Sequence, residues 1–140
     1  MSLNNVIAYS FCVLLLSCSV AKAQPRHKKT AANKTHQTGL VLYGQASFYA
    51  EKFHGRRTAN GETFSQKKLT AACNKLPLGT WIQVANLEND KIIVVKTNDR
   101  LAPNSKRLID LSRAGAKKLG FISAGTAKVK IEVLDQSLYR

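Results

Sequence analysis

Asp99 follows a run of β-branched residues in Thr97-Asn98-Asp99-Arg100, and Glu62 closes the turn-like stretch Thr58-Ala59-Asn60-Gly61-Glu62. A carboxyl can give a proton to a leaving group and later take one back, which is general acid–base chemistry. Spacing alone favours plainer roles. Asp99 beside Arg100 reads as a turn residue or ion-pair partner, and Glu62 as a solvated loop acid. Asp110, in Ile109-Asp110-Leu111-Ser112, reads as a helix-start residue.

His54, in Phe53-His54-Gly55-Arg56, and Cys73, after Thr70-Ala71-Ala72, are two further groups with acid–base or nucleophilic capacity. No spacing marks a Cys–His pair, so Cys73 reads as a buried, unreactive thiol. His27 and His36 have no neighbouring ligand residues, and neither a metal nor another cofactor is expected. Phe48, Tyr49 and Trp81 carry aromatic faces, and each reads as core more than as a ligand contact.

Short strands must position these groups. Small and aromatic residues mix over residues 41–49, residues 80–86 alternate, and residues 91–96 form an almost continuous β-branched run after a turn at Glu88-Asn89-Asp90. The last two segments predict a hairpin. One helical signal stands within residues 109–119, with Ser112 as N-cap, Lys117 and Lys118 in the last turn, and Gly120 as the stop. Over residues 128–134, Val129, Ile131 and Val133 share one face. With no internal repeat and no β-α-β series, a mainly β barrel with an inserted helix fits this order, and about 100 residues suffice for it.

The chain has 140 residues and 44% hydrophobic content, which fits one small domain with extensions and excludes wholesale disorder. Its 22 Lys plus Arg against 8 Asp plus Glu give a formal charge of +14, implying an acidic partner without naming it. Residues 6–20 form an apolar run too short to span a membrane, followed by the small-x-small pattern Ala21-Lys22-Ala23. Residues 1–23 therefore read as a secretory signal. Leu15-Leu16-Ser17-Cys18 also fits a lipoprotein box, and lipidation at Cys18 is the alternative route, the one case in which membrane attachment is expected. Residues 24–39, basic and without apolar content to bury, read as a flexible linker. Cys12 and Cys18 fall in the signal, so the processed chain after Ala23 holds Cys73 alone and no internal disulfide. Export disfavours a specific nucleic-acid ligand.

The order of short motifs is more specific than any of them singly. G-x-A-S-x-Y, F-H-G-R-x-T-A-N-G-E, T-A-A, L-P-x-G-T, N-D-R and I-D-L-S run from Gly44 to Ser112, and I-E-V-L closes at Leu134. In this order the chain resembles the rare lipoprotein A (RlpA-like) family. The resemblance implies a six-stranded double-psi β-barrel with one or two short helices over residues 40–136. It implies an endolytic lytic transglycosylase that cleaves peptidoglycan glycan strands, preferably lacking stem peptides, to 1,6-anhydromuramyl ends. Asp99 then matches the essential carboxylate acting as general acid/base, and Glu62 a second acidic position. Cys73, His54, Arg100, Phe48 and Tyr49 are the implied substrate-binding residues. A monomer in the periplasm or cell envelope is expected, with anionic cell-surface polymers as further partners.

Three departures from the family pattern bear on chemistry. Cys73 stands where T-A-A-H would place a His, and a thiol neither carries positive charge nor relays a proton as imidazole does. Leu101-Ala102-Pro103 replaces a common Gly-Pro, and Phe48 stands where many members have Trp. These departures keep a second expectation open, a non-catalytic peptidoglycan-binding or wall-loosening module like the expansins. Only six residues follow Leu134, so a carboxy-terminal peptidoglycan-binding repeat domain is not expected.

Overall fold

Alternation of apolar and polar residues builds strands whose inner faces meet. The computed structural model describes residues 37–139; the signal, the lipoprotein box and residues 24–36 of the expected linker lie outside them. The strands are β1 (Gln37–Phe48), β2 (Thr70–Ala72), β3 (Trp81–Asn86), β4 (Ile92–Asp99), β5 (Ile109–Leu111) and β6 (Ala127–Leu134). A single α-helix among the described residues, α1 (Arg113–Leu119), lies between β5 and β6, and short 3-10 turns stand at Glu51–Phe53 and Gln136–Tyr139. β1 begins within the stretch read as linker.

The six strands close into a barrel in the order β1-β5-β2-β4-β3-β6. β1 with β5 and β2 with β4 are parallel, and the other four pairings are antiparallel. This closed, mixed, six-stranded barrel with one short helix is the expected architecture. Closure removes exposed sheet edges, which suits a small domain without disulfides.

Ile82 and Val84 of β3, Ile93 and Val95 of β4, and Val129 and Ile131 of β6 all point into one buried core. Each such side chain contributes about 1.5–3 kcal/mol by leaving water. The helix forms where its caps predict. Ser112 Oγ accepts from Gly115 N at 3.2 Å, and Gly120 ends α1 in the left-handed region at φ 76°.

Two irregularities shape the barrel's mouth. Gly44 lets β1 pass the chain before β5 so closely that a Cβ there would lie 2.6 Å from Leu108 Cβ. In the β2–β4 pairing, Ala71 faces Thr97 but Ala72 faces Asp99, which leaves Asn98 as a bulge. Strict alternation would send Asp99 inward behind Ile93, Val95 and Thr97. Instead the bulge buries Asn98 and brings Asp99 out to a half-buried position at the strand end.

Candidate active site

The bulge sets the direction of Asp99, and three donors then hold its carboxylate. Oδ1 accepts from Ala59 N at 2.9 Å and from Arg100 N at 2.8 Å, while Oδ2 accepts from Tyr49 Oη at 2.8 Å. The Ala59 donor comes from a tight loop. Thr58 N donates to Glu62 O, Gly61 N donates to Thr58 O, and Asn60 Oδ1 accepts from both Thr58 Oγ1 and Glu62 N. Asn60 N then donates to Asn98 O, docking the loop on the bulge. The T-A-N-G-E segment is thus a device for aiming a backbone N–H at Asp99, with Gly61 supplying the required φ of 87°.

Tyr49 is fixed as firmly. Its ring packs on Phe64 at a centroid distance of 4.4 Å and meets Phe53 edge-on at 5.8 Å. Burial pushes the phenol's pKa far above its ordinary value, and the hydrogen bond to Asp99 and the charges of Asp99 and Asp110 push it further. Tyr49 therefore stays protonated and donates at any working pH. Buried Gln66 holds the following backbone, donating from Nε2 to Tyr49 O and Ala50 O at 3.0 and 3.2 Å. Its Oε1 accepts from Arg113 N at 2.8 Å, tying the same segment to the start of α1.

Around this carboxylate lies a groove of about 640 Å³. Phe48, Tyr49, Phe53 and Phe64 give it aromatic surface. Lys52, Arg56, Arg57, Arg100 and Arg107 surround the two acids Asp99 and Asp110. Its mouth is therefore cationic, with one well-held carboxylate beside aromatic faces.

Residues 41–131 match the sequence pattern of a family described as lytic transglycolase. The chain belongs to that family. Curated relatives agree: proteins named endolytic peptidoglycan transglycosylase RlpA are 51% identical over 94 residues in Pseudomonas aeruginosa, and 46% identical over 126 residues in Neisseria meningitidis serogroup A. The matches cover 67% and 81% of this chain but only 28% and 52% of those relatives, so the chain spans about half their length or less. Among solved structures, a Streptomyces papain inhibitor is similar with a TM-score of 0.57 at 22% identity, over 69% of this chain and 96% of that one. A mutant Clavibacter michiganensis expansin, solved with cellohexaose, has a TM-score of 0.53 at 15% identity, over 69% and 51% of the two chains. At those identities the likeness is one of fold.

In this RlpA-like barrel, Asp99, Arg100, Phe48 and Tyr49 line the groove. Glu62, His54 and Cys73 do not line it. Glu62 Oε2 accepts from Asn98 Nδ2 at 3.0 Å, and this donor is the main cause of a carboxyl pKa below its ordinary 4.5. The acid therefore braces the bulge from outside. His54 accepts at Nδ1 from Gln66 N at 3.2 Å, which puts the proton of a neutral ring on Nε2. Cys73 is wholly buried in the core; its backbone serves the site, with N donating to Asp99 O and O accepting from Arg100 Nη1. Trp81 stacks on Tyr139 and is absent from the groove.

Asp110, a helix-start residue by sequence, lines the groove within electrostatic reach of Tyr49. Arg107 forks onto it, Nε to Oδ1 at 2.7 Å and Nη2 to Oδ2 at 3.0 Å. The sequence signal for this placement is the alternation of Ile109, Asp110 and Leu111, which turns Asp110 away from the core. Among the described residues, no three or more His, Cys, Asp or Glu are grouped to hold a metal.

Proposed function

We propose that the protein is an exported peptidoglycan lytic transglycosylase of the bacterial cell envelope, with Asp99 as its acid/base. The observation that carries this reading is the half-buried Asp99 carboxylate, held by Tyr49 Oη and two backbone N–H groups at a groove large enough for a glycan. The aromatic residues of the groove suit sugar rings, and its cations suit an acidic strand.

The chemistry asks for one well-placed carboxyl. Protonated Asp99 gives its proton to the glycosidic oxygen as the bond to muramyl C1 breaks, and an oxocarbenium-like centre develops. The muramyl 6-hydroxyl then attacks C1 of the same sugar, and its proton returns to the Asp99 carboxylate. The products are a free 4-hydroxyl and a 1,6-anhydromuramyl end, with no water consumed and no cofactor required. Tyr49 and the Ala59 N–H keep the carboxylate from rotating between the two transfers. Strands lacking stem peptides are the proposed substrates. Glu62 acts as a positioning residue through Asn98, and Arg100 orders the wall beside Cys73 and Leu76.

A non-catalytic wall-binding module is the second reading, and the burial of Cys73 favours it. The position that the family fills with a His carries here a thiol sealed in the core, so no second proton carrier enters the groove from that side. Mass spectrometry of glycan strands incubated with the protein separates the two. Anhydromuramyl ends formed by the native protein and absent with Asp99→Asn support the enzyme. Strands that sediment with the protein yet gain no new ends support the module.

A further inference from the structure

The cations of the groove differ in what they are already bound to. Arg107 is committed to Asp110, Arg100 Nη1 to the carbonyls of Cys73 and Leu76, and Arg57 Nη1 to Gly61 O at 3.0 Å. Among the described residues, Lys52 and Arg56 have neither kind of partner. The ion pairs among the described residues are Arg107 with Asp110 and Lys130 with Glu132.

Both free cations instead lie over one aromatic ring. Lys52 Nζ is 5.5 Å, and the Arg56 guanidinium carbon 5.3 Å, from the Phe53 centroid. Ring attraction positions a cation without neutralising it. Arg56 has a firm base: its N donates to Phe53 O at 3.1 Å, and its O accepts from Phe64 N at 2.7 Å. Phe53 meets Tyr49 edge-on, and Tyr49 donates to Asp99. The uncommitted charges therefore stand one aromatic ring beyond the residue that holds the acid.

We infer that Lys52 and Arg56, mounted on Phe53, form a subsite for a carboxylate carried by the sugar bound next to Asp99. This rests on the peptidoglycan reading above and names the group recognised: the free lactyl carboxylate of a muramyl residue. A stem peptide joined to that lactyl group converts the carboxylate into a neutral amide, which removes the charge the pair attracts. The pair is thus a specificity determinant for peptide-free strands. Two exposed cations act by charge and by charge-assisted hydrogen bonds, effects that salt weakens.

Binding measured at moderate salt tests the pair independently of turnover. The ligands are peptide-free glycan strands, the same strands with lactyl carboxylates chemically amidated, a chitooligosaccharide of matched length, and a polyglycerol phosphate. The native protein should bind the free-carboxylate strands about three- to tenfold more tightly than the amidated strands or the chitooligosaccharide. Lys52→Gln with Arg56→Gln should abolish most of that difference, whereas Lys52→Arg with Arg56→Lys should keep it. Lys117→Gln, outside the groove, is the control for general charge, and melting curves confirm that each variant is folded.

Equal affinity for free and amidated strands would overturn the subsite. So would an equal loss from Lys117→Gln, or binding of polyglycerol phosphate as tight as that of the carboxylate strands. Discrimination without anhydromuramyl products would refute the activity while leaving the subsite standing. Binding to neither strand would overturn both.

Discussion

Tyr49 Oη lies 2.8 Å from Asp99 Oδ2, and the phenol cannot lose its proton at any working pH because burial and that carboxylate both oppose ionisation. It is a permanent donor to one oxygen of the acid, while Ala59 N and Arg100 N hold the other. Tyr49→Phe removes this bond and leaves the packing on Phe53 and Phe64 in place. The carboxylate then turns more freely, so turnover should fall about ten- to hundredfold with little change in KM. Asp99 is partly solvated, so stability should drop by only about 0.5–1.5 kcal/mol. Rates of anhydromuramyl formation and a urea titration check the two halves separately.

Glu62 and Asn98 form the brace behind the bulge. The Asn98 amide stabilises the charged carboxyl and holds its pKa below 4.5, so the unfolded chain binds a proton there more readily than the folded one. The stabilisation is complete above the ordinary carboxylate range and fades as pH falls through the lowered folded value. Glu62→Gln should therefore cost stability at pH 7 and progressively less below about pH 4. Glu62 is exposed, so the cost at pH 7 should stay below about 1 kcal/mol. A double-mutant cycle of Glu62→Ala with Asn98→Ala should show coupling, because the residues share one hydrogen bond. Activity should fall several-fold in Glu62→Gln; a loss as complete as that of Asp99→Asn would assign Glu62 to the chemistry instead.

Most of the barrel was legible because its signals are local. Alternation in β3, β4 and β6 and the two caps of α1 depend on residues within a few positions of one another. The strand order and the two parallel pairings were not legible, since no periodicity encodes which strands neighbour each other. Of the expected site residues, Asp99, Arg100, Phe48 and Tyr49 lie at or beside strand ends and line the groove, whereas Glu62, His54 and Cys73 do not. The groove position of Asp110 and the roles of Phe53 and Gln66 were not legible because long-range contacts give them these roles. Gln66 joins the segment after Tyr49 to the start of α1, and Asp110 reaches the groove because β5 pairs with β1. Glu62 lies outside the groove because a one-residue bulge, invisible to pattern, turns Asn98, the partner of Glu62, inward in place of Asp99.

Cys73 is the one cysteine among the described residues and is fully buried. A thiol without solvent access does not react, so the native protein should resist thiol-modifying reagents and become reactive only in denaturant. Cys73→Ala should keep the activity within about twofold and cost about 1 kcal/mol, since it removes one buried sulfur from a packed core. Modification of the folded protein at the rate of a free thiol would show that the side chain reaches the groove.

Gly44 sets how closely β1 approaches the chain that enters β5. A Cβ at this position would lie 2.6 Å from Leu108 Cβ and 3.1 Å from its Cδ2, and Leu108 N is fixed to Gln45 O at 2.9 Å. The crowding falls on the root of the Leu108 side chain, which cannot rotate away. Gly44→Ala should therefore destabilise the protein by about 1–3 kcal/mol, read as a lowered midpoint in denaturant. Because the displaced segment carries Arg107 and Asp110 into the groove wall, strand binding should weaken in the same variant. Leu108→Ala removes Cδ2 but leaves Cβ in place, so it should not rescue Gly44→Ala. Leu108→Gly should relieve the clash at the expense of core burial, and full rescue by Leu108→Ala would show that the side-chain tip, not the backbone approach, limits position 44.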